Sequence, residues 1–222
     1  MSLVRRFLTI TAASTVLAAG SAAADGSRGY EMTITNVTPG QVFSPPVLVT
    51  HKRNIALFEV GTPALPELAI VAEDGAGQPL ADLLNSLPQV LEAQSTTAPI
   101  PPGGSAVYAF NASSKYVLSS VGMLVNTNDA FFALNSVELP RKKGDSFTFS
   151  IVAYDAGSEA NNEDCAFIPG PACPADSGNA RATEGAEGFV AISNGVHGVA
   201  DLGPVAYDWR NPVARVTVTR VY

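Results

Sequence analysis

An antiparallel, all-β sandwich with one or two short helices is the fold class that this sequence predicts. Three observations carry the prediction. Several short runs alternate apolar and polar residues with a period of two, the pattern of a half-buried strand. Glycine and proline are frequent, 19 and 16 of 222 residues, and punctuate the chain between those runs. Helix-compatible sequence is confined to one region. Many short strands separated by turn signals build sandwiches rather than parallel α/β sheets.

The elements follow in chain order. Tyr30–Val37 places Tyr30, Met32 and Ile34 on one face and Glu31, Thr33 and Thr35 on the other, and Thr38-Pro39-Gly40 ends it. Val47–His51 and Ile55–Val60 read as short strands around a polar turn. Pro66–Glu73 reads as one or two helical turns, with Pro66 suited to a helix start, and Leu80–Leu87 as a second short helix. Ser105–Phe110 alternates through Ala106, Tyr108 and Phe110. Tyr116–Val125 and Phe147–Tyr154 are the longest strand candidates. In the second of these, Phe147, Phe149, Ile151 and Ala153 share a face. Phe189–Ile192 and the β-branched run Val213–Val221 complete the set. No internal repeat or composition break marks a second domain, so residues 25–222 are expected to form one. The longest stretch without a pattern is Glu159–Glu187. A loop of that length is expected to be functional, mobile or held by a covalent link.

Met1–Ala24 has the features of a secretory signal peptide: Arg5 and Arg6, an apolar stretch from Phe7 to Gly20, and a small-residue cleavage site at Ala22-Ala23-Ala24. Export to a secreted or periplasmic location is expected. The apolar stretch is short for a bilayer, and no later run approaches the roughly 18 apolar residues of a membrane span. Losing Arg5 and Arg6 makes the formal charge of −7 two units more negative. An acidic chain without basic runs repels nucleic acid and anionic lipid, so neither is an expected partner. The two cysteines, Cys165 and Cys173, enclose a loop with Pro and Gly. In an exported protein they most simply form one disulfide.

The segment Asp155-Ala156-Gly157-Ser158-Glu159 follows the Phe147–Tyr154 strand directly, and Asn161, Asn162, Glu163 and Asp164 come next. Gly157 permits the bend that folds Glu159 back toward Asp155. Oxygen-rich side chains at a strand end suit a hard cation such as calcium; the plainer reading is a solvated acidic loop. Asn126-Thr127-Asn128-Asp129 is a second polar cluster after a long strand. It reads either as a turn or as further oxygen ligands. If both strand ends reach one rim, Asp129, Asp155 and Glu159 meet there; spacing alone leaves that open.

The chain resembles the spondin N-terminal domain family, of the F-spondin and mindin kind. The opening Tyr30-Glu31-Met32-Thr33-Ile34-Thr35-Asn36-Val37-Thr38-Pro39-Gly40-Gln41-Val42-Phe43-Ser44-Pro45-Pro46 is similar to the start of that domain. So are Thr50-His51, Leu57-Phe58-Glu59-Val60-Gly61 and Leu68-Ala69-Ile70-Val71-Ala72-Glu73-Asp74-Gly75. Asp129-Ala130-Phe131-Phe132 is similar to the family's Asp-aromatic-Phe signature, with Ala130 replacing a large aromatic. Asp155-Ala156-Gly157-Ser158-Glu159 matches its Asp-Ala-Gly-Thr-Asp/Glu signature, with Glu159 where Asp is usual. The likeness spans Gly29 to Tyr222. It implies a C2-like sandwich, a calcium site with ligands at Asp129, Asp155 and Glu159, and adhesion or matrix-type binding of a protein or glycan.

Competing functions have thinner support. A hydrolase needs a nucleophile oriented beside its base. Gly-x-Ser-x-Gly is missing from the sequence, as are His-Glu-x-x-His and a phosphate-cradling loop. His51, at a strand end, and His197, in a Gly-rich loop, read as structural or surface residues. Trp209 reads as core or rim packing. Asn36-Val37-Thr38 and Asn111-Ala112-Ser113 fit the glycosylation pattern. The expectation is therefore an exported calcium-binding module without catalysis, contacting an extracellular or envelope protein or glycan. The alternatives are a metal-free structural envelope protein and, behind it, a secreted hydrolase.

Overall fold

A computed structural model describes residues 26–222; the signal-peptide reading of Met1–Ala24 lies outside them. The chain runs β1 Arg28–Asn36, β2 Val47–His51, α1 Pro66–Asp74, α2 Gln78–Asn85, β3 Val90–Ser95, β4 Ser105–Ala112, β5 Val117–Met123 and β6 Ala130–Val137. It continues through β7 Ser146–Ile151, β8 Ala153–Asp155, β9 Ala191–Ile192, α3 Pro204–Tyr207 and β10 Ala214–Arg220. The strands form two antiparallel sheets, one of order β4-β1-β10-β7 and one of order β3-β2-β5-β6-β8-β9. The sandwich is therefore as the sequence reading has it.

Alternation in β1 turns Tyr30, Met32 and Ile34 inward against the second sheet. Phe110, Val216 and Val218 from neighbouring strands share that core with Phe43, Leu118, Phe132 and Leu134. The six-stranded sheet is covered on its other face too. There α1 and α2 pack Leu68, Val71, Leu80 and Leu84 onto Val47, Val49, Val121 and Phe131. A sheet buried on both faces needs no polar alternation, and every residue of β2 and β5 is buried. Among the described residues no helix is long and apolar enough to cross a membrane.

Three sequence expectations need correction. Ile55–Val60 is a loop, not a strand. Two of its apolar residues join the helical layer: Leu57 is buried there, and Phe58 packs edge-on against Phe131 and Tyr154 with ring centres 5.2 and 4.9 Å apart, while Val60 is exposed. Phe147–Tyr154 is not one strand. It divides at Val152, so that β7 pairs with β10 in one sheet and β8 with β6 in the other. Asn211 Oδ1 accepts the Ala153 N–H at the crossing, at 2.9 Å. The shared apolar face turns inward from Phe149, which is half-buried against the core, through Ile151 and Ala153, whereas Phe147 lies 41% exposed at the sheet edge. Finally, β3 and β6 are strands that the pattern does not announce.

The Glu159–Glu187 stretch contains no helix or strand. It is held covalently by the Cys165–Cys173 disulfide, as expected, and by the burial of Ile168 and Cys173 in the core between the sheets.

Candidate metal site

Antiparallel pairing of β6 with β8 creates the rim. Ala130 faces Asp155 in register, so Asp129, one residue before β6, lies beside the end of β8. The Asp129 carbonyl accepts the Ala156 N–H at 3.2 Å. The turn before β6 is closed by Thr127, whose hydroxyl donates to Leu124 O and accepts from Ala130 N. Its amide side chains pin the long insertion: Asn126 Oδ1 accepts from Ala172 N, and Asn128 Oδ1 accepts from Glu163 N. The cluster is thus a turn and also the seat of a rim carboxylate.

Gly157 shapes the opposing turn. Its φ is 67°, and a Cβ there would stand 2.3 Å from Phe189 O. Only glycine meets both demands. The bend lets the backbone of residues 158 and 159 wrap the Asp129 carboxylate: Oδ2 accepts from Ser158 N, Ser158 Oγ and Glu159 N at 2.8, 3.1 and 2.9 Å. Asp129 Oδ1 is buried with no hydrogen-bond partner. Asp155 Oδ1 accepts from Gly157 N at 2.7 Å, and its Oδ2 from Asn161 Nδ2 at 2.6 Å. Asn161 Nδ2 also donates to Glu187 Oε1 at 3.2 Å.

Burial, and then the Asp155 charge, push the Asp129 carboxyl up to about 7 against the N–H groups that favour its anion. Burial likewise raises Asp155, opposed by Asn161 and Gly157, with the Glu187 charge adding to the rise. Two carboxylates drawn together in a dry site share a proton or hold a cation.

Of the expected trio, Asp129 and Asp155 come together and Glu159 does not join them. Its backbone N–H serves Asp129, but its side chain is fully buried toward α1. There Oε1 accepts the Ala182 N–H at 3.0 Å and lies 4.0 Å from Arg181 Nε. Arg181 also pairs with Glu73 at 2.7 Å and Asp74 at 2.5 Å. Burial pushes Glu159 up to about 7, with Glu73 and Asp74 adding to the rise and Arg181 opposing it. Its Oε2 has no partner. Among the described residues no group of three His, Cys, Asp or Glu side chains stands ready to hold a metal. The Asp129–Asp155 pair fits a hard cation as far as it goes: two carboxylates, one carrying a buried and unpartnered oxygen. Six to eight oxygens are the usual complement for calcium.

Glu163 sits in the same acidic run but is committed elsewhere. It adopts φ 57° and is 4% exposed. Its two carboxylate oxygens accept the N–H groups of His197, Gly198 and Val199 at 2.5, 2.7 and 2.9 Å, so it ties the insertion to the 197–199 loop. Asn161 and Glu187 are rim residues that the sequence reading did not single out as ligands. Asn161 was visible in the polar run after Glu159, but nothing local marks Glu187.

His51 and Ser119 form a 2.7 Å contact, Nε2 to Oγ, and both are fully buried. The other ring nitrogen of His51 lies 2.9 Å from Lys52 O, and Ser119 Oγ accepts from Ser136 N. This pair braces strands. His197 is at the surface and Trp209 is in the core, as their positions suggested. Asn36, in the first glycosylation-like triplet, is fully buried, with its amide donating to Gln41 O and Ile100 O. No family model and no curated protein matches the chain.

Proposed function

We propose that this chain is an exported, calcium-stabilised binding module of the spondin type, acting by contact with an extracellular or envelope protein or glycan and not by catalysis. The observation that carries the reading is the buried Asp129–Asp155 pair, with Asp129 Oδ1 unpartnered at a rim formed by two sheet-bound turns. Asp129 and Asp155 would hold the ion, with backbone carbonyls and water completing its shell. Bound calcium supplies positive charge that offsets the repulsion of the two carboxylates. For an extracellular module of this kind a dissociation constant of about 0.1–1 mM is expected. The disulfide and the leader-like Met1–Ala24 segment support export.

A second reading, a metal-free envelope protein, is favoured by one observation: the three expected ligands do not converge. In that case the Asp pair is relieved by a shared proton. Thermal melting in calcium, in magnesium and in chelator separates the two. Calcium-specific stabilisation that is lost in Asp155→Ala supports the binding module. A melting temperature indifferent to calcium in the wild type sinks it.

A further inference from the structure

We infer that Asn161 and Glu187 are further ligands of the calcium at this rim, while Glu159 is excluded from it, its side chain being buried on the Arg181 side of the turn. This rests on the reading that the rim takes calcium, and it assigns ligands to an ion whose third carboxylate the sequence placed at Glu159.

The rim has two acidic groups, and they differ in what already neutralises them. Glu159, Glu73 and Asp74 surround the guanidinium of Arg181. That charge is permanent, since arginine does not lose its proton in proteins. A divalent cation entering there would have to displace or repel it. Asp129, Asp155 and Glu187 form the other group, and among the described residues no lysine or arginine pairs with any of them.

What stands between Asp155 and Glu187 is the amide of Asn161. One nitrogen donates to both carboxylates, at 2.6 and 3.2 Å. A donor shared by two anions occupies the place a cation would take. Unlike a guanidinium, an amide is reversible: turned about its last torsion, it presents an oxygen instead of N–H₂. Asn161 therefore holds the carboxylates together without metal and becomes a neutral oxygen ligand with it. The fully buried Asp129, whose Oδ1 lacks any partner and which feels the Asp155 charge, belongs to this same group. Glu187 is exposed, and among the described residues it does not already converge with Asp129 and Asp155 into a metal-holding group, so it reaches the ion by swinging in from solvent.

Calorimetric titration of the chain with calcium chloride tests the division, using wild type, Glu187→Gln and Glu159→Gln. Far-UV circular dichroism verifies that each variant is folded. Glu187→Gln is expected to weaken calcium binding tenfold or more, while its metal-free melting temperature stays near wild type. Glu159→Gln is expected to keep calcium affinity within about threefold, with its metal-free melting temperature altered by the loss of the Arg181 contact. Loss of binding in Glu159→Gln, alone or together with Glu187→Gln, overturns the assignment. So does undiminished binding in Glu187→Gln. A wild type that takes up no calcium overturns both the assignment and the calcium reading beneath it.

Discussion

Replacing Asp129 by asparagine isolates the energetics of the rim. The change keeps the shape of the side chain. Its oxygen still accepts from Ser158 N, Ser158 Oγ and Glu159 N, and an N–H₂ takes the place of the unpartnered Oδ1. What disappears is a charge buried beside another charge. Raising the carboxyl from its ordinary 3.8 to about 7, at about 1.4 kcal/mol per tenfold change in proton affinity, costs up to about 4 kcal/mol once the group is ionised. The sign follows from linkage. The folded state holds this proton more tightly than the unfolded one. The stabilisation is therefore complete below about pH 4 and is lost as pH rises through 7. In chelator at pH 8, Asp129→Asn is expected to melt above wild type, with each 1 kcal/mol worth about 2–4 °C in a chain of this size. The variant's stability should also fall less steeply between pH 5 and 8. With 10 mM calcium and the dissociation constant proposed above, wild type gains about 1.4–2.7 kcal/mol and the variant little, so the gap narrows. Differential scanning fluorimetry across pH, with and without calcium, reads all of this. A variant that melts below wild type in chelator at pH 8, with an unchanged pH slope, refutes the buried-charge argument. An equal calcium gain in both proteins refutes a cation at Asp129.

Other perturbations report on the supports of the rim. Glu163→Ala strands the N–H groups of His197, Gly198 and Val199; urea unfolding should show a loss of about 3 kcal/mol or more. Gly157→Ala forces a Cβ against Phe189 O at positive φ; a loss of about 2–3 kcal/mol is expected, along with a weaker calcium response. His51 is held neutral, because burial lowers its affinity for a proton despite the Lys52 carbonyl. Its contribution is present above about pH 6.5 and lost on acidification. Acid melting of wild type should therefore be steeper below pH 6 than that of His51→Gln.

How much of this was legible follows from what each strand faces. β1 has one face on the core and one on water, so its alternation announces it. β2, β5 and the first part of β6 are buried on both faces. For them the period-two signal is erased. Val47–His51 and Tyr116–Val125 were still readable from apolar content and flanking turns, whereas Ala130–Val137 was hidden behind its Asn-rich turn. β3 is an edge strand whose alternation is blurred by exposed Leu91. The split of Phe147–Tyr154 has no local signal at all, because Val152 changes sheets in answer to Asn211 and Val213, far along the chain. The meeting of Asp129 with Asp155 was foreseeable in kind, since both stand at strand ends. It was decided by the register of β6 on β8.

The ligand count is where sequence reading overreached, and the reason is physical. Residues 155–164 offer many side-chain oxygens, but a tight turn also exposes backbone N–H groups that must find acceptors. Those groups claim the oxygens first. Asp155 Oδ1 goes to Gly157, Asp129 Oδ2 to Ser158 and Glu159, Glu159 Oε1 to Ala182, and both oxygens of Glu163 to the 197–199 loop. What remains for an ion is Asp129 Oδ1 and the oxygens gathered by Asn161; Glu159 Oε2 also lacks a partner, but on the Arg181 side of the turn. A carboxylate in such a loop is a candidate ligand only after the backbone has taken its share. That accounting sets Asp129 apart from Glu163, although both are buried acids, one in a turn pinned to the insertion and the other within it.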